Sequence, residues 1–387
     1  MLRLLQVKIL QEIFITNLPC ECIVMENSLY YSDYLHLDKI LSSQHPKSFE
    51  AGKEKAHDEM LFIMIHQAFE IWFKQILFEL DYVLSVFSKE KINDNSEDMN
   101  LALHRLRRIQ KIMELLNQQV TVLDTMTPLD FLEFRNLLTP ASGFQSVQFR
   151  LIEATLGLEM QKRHQHDYYK RANQGGFNAH DLALINKVEN GNTLTRLINQ
   201  WLERMPFFET EYWTGYQKQA EHPGHHPFWA DYREIYRSGL TEREAGKIED
   251  FDFVFLEKQE GLSPEQVTEK LSALRNTLSA KAMRAALFIM LYRDFPVFQN
   301  SFQILDALVE IDNALAGWRH GHFRMVRRMI GMRVGTGNTS GSGYLEGAAG
   351  SHYIFKDIAG LSTYLIERRK LPGLPPELIR GLSFHES

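Results

Sequence analysis

Apolar residues recur at spacings of three and four through most of this chain, the period of helices with one buried face. The longest such stretch, HDEMLFIMIHQAFEIWFKQILFELDYVLSVF at 57–87, predicts one long helix ending at the polar SKEKINDNSED. MNLALHRLRRIQKIMELLNQQVTVLDTM at 99–126 predicts a second, and the short polar link predicts that the two pack antiparallel. Thr127, Pro128 and Asp130 read as the N-cap, first-turn proline and first-turn acid of a third helix, which must stop before Pro140. PASG is then a loop, and FQSVQFRLIEATLG opens the next helix. NTLTRLINQWLERMPFF is another. Ser263 with Gln266 reads as a capping box and Pro264 as a first-turn proline, so helix is expected through LSPEQVTEKLSALRNTLSAKAMRAALFIMLYRDFP. FQNSFQILDALVEIDNALAGWRHGHFRMVRRMIG continues the period, VGTGNTSGSG breaks it, and STYLIERRKLP closes the fold. Residues 206–262 are less regular and more polar, as a smaller inserted region would be. With no βαβ alternation and no repeat, the fold class is all-α: a large helical bundle with a small helical insertion.

Composition narrows the function. The chain has 387 residues, 44% hydrophobic and 24% charged, with a net charge of −6. Nothing in that balance suggests a nucleic-acid footprint. No uninterrupted apolar run reaches the roughly 20 residues of a membrane-spanning helix, so no membrane role is expected. The two cysteines, Cys20 and Cys22, exclude a disulfide framework and any Cys-based zinc site in the body of the chain. A reducing, cytoplasmic setting is expected. Residues 1–24 have a basic start and apolar character, but Lys8, Gln11 and Glu12 interrupt them and no small-residue cleavage pattern follows. An extension ahead of a true start at Met25 is expected rather than a secretory signal. Residues 25–387 would then form one domain.

Five stretches carry candidate chemistry. In FIMIHQAFEIWF, Phe62, His66, Phe69 and Phe73 share one helix face, an imidazole set into an aromatic stripe. Such a histidine is either packed with a satisfied hydrogen bond or the one polar atom of a ring-lined pocket for a flat ligand. Arg135, one turn after Phe131, either caps exposed carbonyls or clamps a ligand carboxylate. In GWRHGHFRMVRRMIG, Trp318, His322, Met325, Val326 and Met329 form one apolar stripe. His322 therefore points inward and His320 outward, and the two cannot share a metal unless the helix breaks at Gly321. An inward histidine under an apolar face is core packing or an axial haem ligand, with Arg319, Arg324, Arg327 and Arg328 as cations for the propionates. The glycine-rich 335–343 follows a helix and lacks a P-loop lysine, so it reads as a lid with polar donors or a plain solvent loop, not a nucleotide cradle. EHPGHHPFW has three histidines but no catalytic zinc spacing, and reads as surface.

Taken together, YYSDYLHLDKIL, HDEMLFIMIHQAFEIWFKQILFEL, FLEFRNLLTPASGFQSVQFRLIE, WRHGHFRMVRRMIG and GTGNTSGSGYL resemble the tryptophan 2,3-dioxygenases, in the family's order and over most of residues 30–370. The resemblance implies an all-α enzyme with haem b, ferrous when active. It would add O₂ across the indole C2–C3 bond of L-tryptophan to give N-formyl-L-kynurenine, the first step of tryptophan degradation by the kynurenine pathway. It implies a homotetramer in which the N-terminal segment of one subunit completes a neighbour's active site. By motif, His322 would be the axial iron ligand and His66 the acceptor for the indole N–H. Arg135 would clamp the carboxylate, and Thr336 would hold the amino acid's polar end. Phe62 and Phe131 would sandwich or flank the indole, while Phe69 and Phe73 would be packing. Ser142 and Gly143 would lie on the distal side near O₂, and Tyr31 and Tyr34 would come from the adjacent subunit. Two departures stand out: GTGNTSG in place of the usual GTGGSSG, which enlarges Asn338 and Thr339, and Phe131 where some relatives have Tyr. Rival readings are a haem dioxygenase acting on another indole, a non-catalytic haem-binding protein, and a haem-free helical interaction protein.

Overall fold

The computed structural model describes residues 29–94, 96–158, 176–217, 226–257, 263–274, 277–331, 333 and 352–382. Among these the regular structure is all helical. The chain divides into two compact units, Met1–His45 and Pro46–Ser387. The first contributes two short helices, α1 (Tyr31–Leu35) and α2 (Leu37–Leu41), joined through a left-handed His36. They bury none of their own residues.

The second unit is built on three long helices. α3 (Asp58–Phe87) and α4 (Glu97–Leu123) pack along each other. Glu79 of α3 meets Arg105 and Arg108 of α4, a pairing that fits the expected antiparallel hairpin. The α4 N-cap is Ser96, whose side chain accepts from Met99 N–H. By length and composition α3 is apolar enough to cross a membrane, although polar residues interrupt it. Here its Ile65, Phe69, Phe73, Ile76, Leu80 and Val83 are core residues. α13 (Pro296–Ile330) also packs along α4 and runs unbroken through Gly321.

Shorter helices close the ends. α5 (Pro128–Arg135) has the expected Thr127–Asp130 capping box and Pro128 in its first turn, and ends before Pro140. α6 (Val147–Leu156) starts at the Ser146 cap, and α7 (Ala179–Glu189) packs on it. α8 (Leu194–Glu203) is capped by Thr193. The 206–262 stretch holds α9 (Pro227–Gly239) and α10 (Lys247–Phe255), more helix than its polarity suggests. Phe228, Trp229, Tyr232, Phe251 and Phe255 recur at helical spacing there and are buried in the main core. The expected helix from 262 to 296 is two: α11 (Pro264–Leu274) and α12 (Ala280–Leu291). Ser279 caps the second, and Asp357 binds Thr277 N–H and Leu278 N–H just before it. That side-chain acceptor takes backbone donors a continuous helix would have used. α14 (Lys356–Gly360) and α15 (Pro376–Gly381) follow, with α14 against α13.

Candidate active site

α3 and α13 approach each other through rings. Trp318 of α13 meets Phe69 and Phe73 of α3 edge-on, at 5.9 Å in each case. Phe69 and Phe73 are buried, so that half of the stripe is packing, as its depth in the core requires. One turn up α3, His66 lies edge-on to Phe69 at 5.9 Å. One turn along α13, His322 stacks on Trp318 with the rings 5.3 Å apart and parallel within 1°. The two histidines thus face one ring-lined region from opposite helices.

Their electrostatics agree. Burial pushes the His322 imidazole down to about 4, and the nearby His66 adds to the same shift. Burial also lowers His66, against the pull of the Phe62 carbonyl and Glu70. Both are therefore neutral at neutral pH. His66 Nδ1–H donates to the Phe62 carbonyl at 2.7 Å, which leaves Nε2 as a lone-pair acceptor. His320 is exposed, as the stripe predicts.

Beside His66 stands an aromatic wall. Phe62 is 4.1 Å from the His66 ring, 5.8 Å from Phe131 and 5.6 Å from Phe134. Phe62 and Phe131 are in ring contact with each other, tilted by 35°. Phe134, fully buried, backs both. Arg135, the last residue of α5, is half-buried one turn beyond Phe131. Ser142 caps a single 3-10 turn at Gly143–Gln145, accepting from Phe144 N–H. That loop rests on α13 through Phe144 against Phe323, the neighbour of His322. A Cβ at Gly143 would meet open space.

Other expectations change. Arg319, one of the four arginines offered as cations for propionates, is buried in an ion-pair network. It is 4% exposed and bound to Glu153 of α6 at 2.9 Å and to the His352 carbonyl at 3.0 Å. Arg150 holds the other Glu153 oxygen at 2.5 Å. Arg324, Arg327 and Arg328 are exposed, with Arg328 on Asp124. His226 is not a surface residue either, because it sits edge-on between Trp213 (4.7 Å) and Phe208 (5.6 Å). Neither of its ring nitrogens has a hydrogen-bond partner among the described residues, and its pKa falls to about 4 through burial and the charge of Arg284. His222, His225, Thr336, Asn338 and Thr339 lie outside the described residues. Among the described residues no cluster of three or more His, Cys, Asp or Glu could hold a metal. Tyr31 and Tyr34 belong to the first unit and are exposed there. Phe134 and the stack of Trp318 on His322 were not anticipated, although Trp318 stands four residues before His322, the spacing of one turn.

Comparison with known proteins gives one answer. A family model described as tryptophan 2,3-dioxygenase matches residues 21–365. A protein named tryptophan 2,3-dioxygenase from Bdellovibrio bacteriovorus is 42% identical, over 92% of this chain and 98% of its own length. Proteins of the same name from Xenopus laevis and Dictyostelium discoideum are 40% and 38% identical, over 92% and 93% of this chain and 87% and 89% of their own lengths.

Proposed function

The chain belongs to the tryptophan 2,3-dioxygenase family, and from that premise we propose that it is a haem-dependent dioxygenase of L-tryptophan. It would cleave the indole C2–C3 bond, place both atoms of O₂ in the product, and release N-formyl-L-kynurenine. The observation that carries this reading is the pairing of two neutral histidines, from α3 and α13, across one ring-lined region.

The residues suit a haem. His322 keeps an unprotonated nitrogen at neutral pH and is half-buried among rings, as an axial ligand needs. The Trp318 Nε1–H beside it is buried and has no acceptor among the described residues. When bound, the haem iron supplies the oxygen chemistry.

The chain's own residues would bind, orient and shield the substrate. His66 Nε2 accepts the indole N–H, since Nδ1 is already committed to Phe62. Its lowered pKa makes it a poor base, so it holds this proton in place rather than removing it. Phe62 and Phe131 form an apolar wall along one side of the bicycle. Arg135 clamps the carboxylate, a task suited to its planar fork. Thr336 would hold the polar end of the amino acid, and the Ser142–Gly143 turn would line the distal side.

A homotetramer belongs to the same proposal. Tyr31 and Tyr34 on α1 are large exposed rings, which favours their use in a neighbour's site. Met64, Ile71 and Phe78, exposed at seven-residue spacing along α3, supply an apolar stripe for a second copy to bury.

The test is direct. Haem-reconstituted protein is reduced without air, then given L-tryptophan and air while spectra are recorded. The expected result is a Soret band followed by the near-UV absorbance of a formylated aryl ketone. A Soret band without product would reduce the reading to haem binding, and no Soret band would remove it. Turnover of a panel of substituted indoles separates L-tryptophan from other indole substrates.

A further inference from the structure

We infer that Trp318 is a positioning residue for His322: its ring sets the plane of the imidazole, and its Nε1–H is reserved for an oxygen acceptor that enters with the haem. This rests on the reading of His322 as the axial ligand.

The torsion that turns an imidazole about its Cβ–Cγ bond is broad, so the histidine does not choose its own plane. A neighbour must choose it. Trp318 lies one turn before His322 on α13, and the rings are parallel within 1° at 5.3 Å. The indole is itself held. Phe69 and Phe73 meet it edge-on at 87° and 81°, and Phe149 lies 4.7 Å away at 37°. A rotation of the indole would drive its edge into one of these three rings. The order fixed by packing is therefore passed to a side chain that lacks its own.

The N–H adds a second, independent observation. Trp318 is 9% exposed, and its Nε1 has no hydrogen-bond partner among the described residues. Buried indole N–H groups are ordinarily paired, and a ring needed only for filling would be served as well by phenylalanine. Among the described residues the rings packed around it offer no oxygen, and a haem held by His322 would bring one with its carboxylates.

The experiment reconstitutes wild type, Trp318→Phe and Trp318→Leu with haem. It reads haem affinity and, in the ferrous proteins, the iron–histidine stretching band by resonance Raman spectroscopy. Trp318→Phe keeps a ring and loses the donor. It should retain the band position and bind haem about fivefold more weakly, the worth of one net hydrogen bond. Trp318→Leu loses the ring as well and should shift and broaden the iron–histidine band. A merely structural role would lower thermal stability and leave that band where it is. Wild-type affinity in Trp318→Phe together with a wild-type band in Trp318→Leu overturns the inference. If Trp318→Leu does not fold, the haem affinity of Trp318→Phe decides alone. Failure of the underlying haem reading looks different, because wild type itself would then show no Soret band.

Discussion

If His66 Nε2 accepts the indole N–H, removing either partner should cost the same interaction, and removing both should cost little more. Nδ1–H is committed to the Phe62 carbonyl at 2.7 Å, so the ring presents one acceptor and no second donor to the pocket. In His66→Ala, the indole N–H of bound substrate is left unpaired among Phe62, Phe69 and Phe131. A buried donor stranded in this way costs about 1–3 kcal/mol, roughly a five- to 150-fold fall in kcat/KM. The assay compares L-tryptophan with its N1-methyl analogue in wild type and variant, which completes a double-mutant cycle. Wild type should discriminate against the methylated substrate, and His66→Ala should lose most of that discrimination while keeping its haem. An undiminished preference for L-tryptophan in His66→Ala would refute the assignment, since the N–H would then be recognised elsewhere.

Three further outcomes are expected. His322→Ala should lose the normal Soret spectrum after haem reconstitution, and a wild-type spectrum would exclude His322 as the axial ligand. Glu153→Ala leaves Arg150 and Arg319 as buried charges without their shared carboxylate; urea denaturation should report a loss of about 3–5 kcal/mol, and a loss under 1 kcal/mol would show that the network matters little. His226 has a folded pKa of about 4 against 6.5 unfolded, so the unfolded chain binds the extra proton in that window. Its contribution is present above pH 6.5 and is lost as pH falls towards 4, by about 1–3 kcal/mol. His226→Leu should flatten the stability profile over that range, and an unchanged slope would place the titration on another group.

Much of the fold was legible because it depends on local chemistry. The caps at Thr127 and Ser263 and the prolines at 128 and 264 are written in adjacent residues, and the helices begin there. The inward turn of His322 followed from the spacing of Trp318, Met325 and Met329, all buried. What escaped depends on residues far apart in sequence. Arg319 read as one of four cations for haem propionates, because nothing near it reveals Glu153, which lies 166 positions away. The break before α12 uses Asp357, 79 residues from Leu278. His226 closes a histidine-rich stretch that reads as loop, while the rings against it come from 208 and 213. The opposition of His66 and His322 is of the same kind, since periodicity orients each side chain on its helix and only packing brings the helices together.

The bond from His66 Nδ1 to the Phe62 carbonyl also bears on how such a site can change over evolutionary time. Many active-site histidines take their tautomer from a carboxylate side chain, and a single substitution of that partner alters the chemistry. Here the partner is a main-chain oxygen one turn earlier on the same helix. No substitution at position 62 other than proline-scale disruption of the backbone can delete it. The ring at 62 is thus open to variation for the sake of substrate shape, while the direction of the hydrogen bond stays inherited from the helix itself.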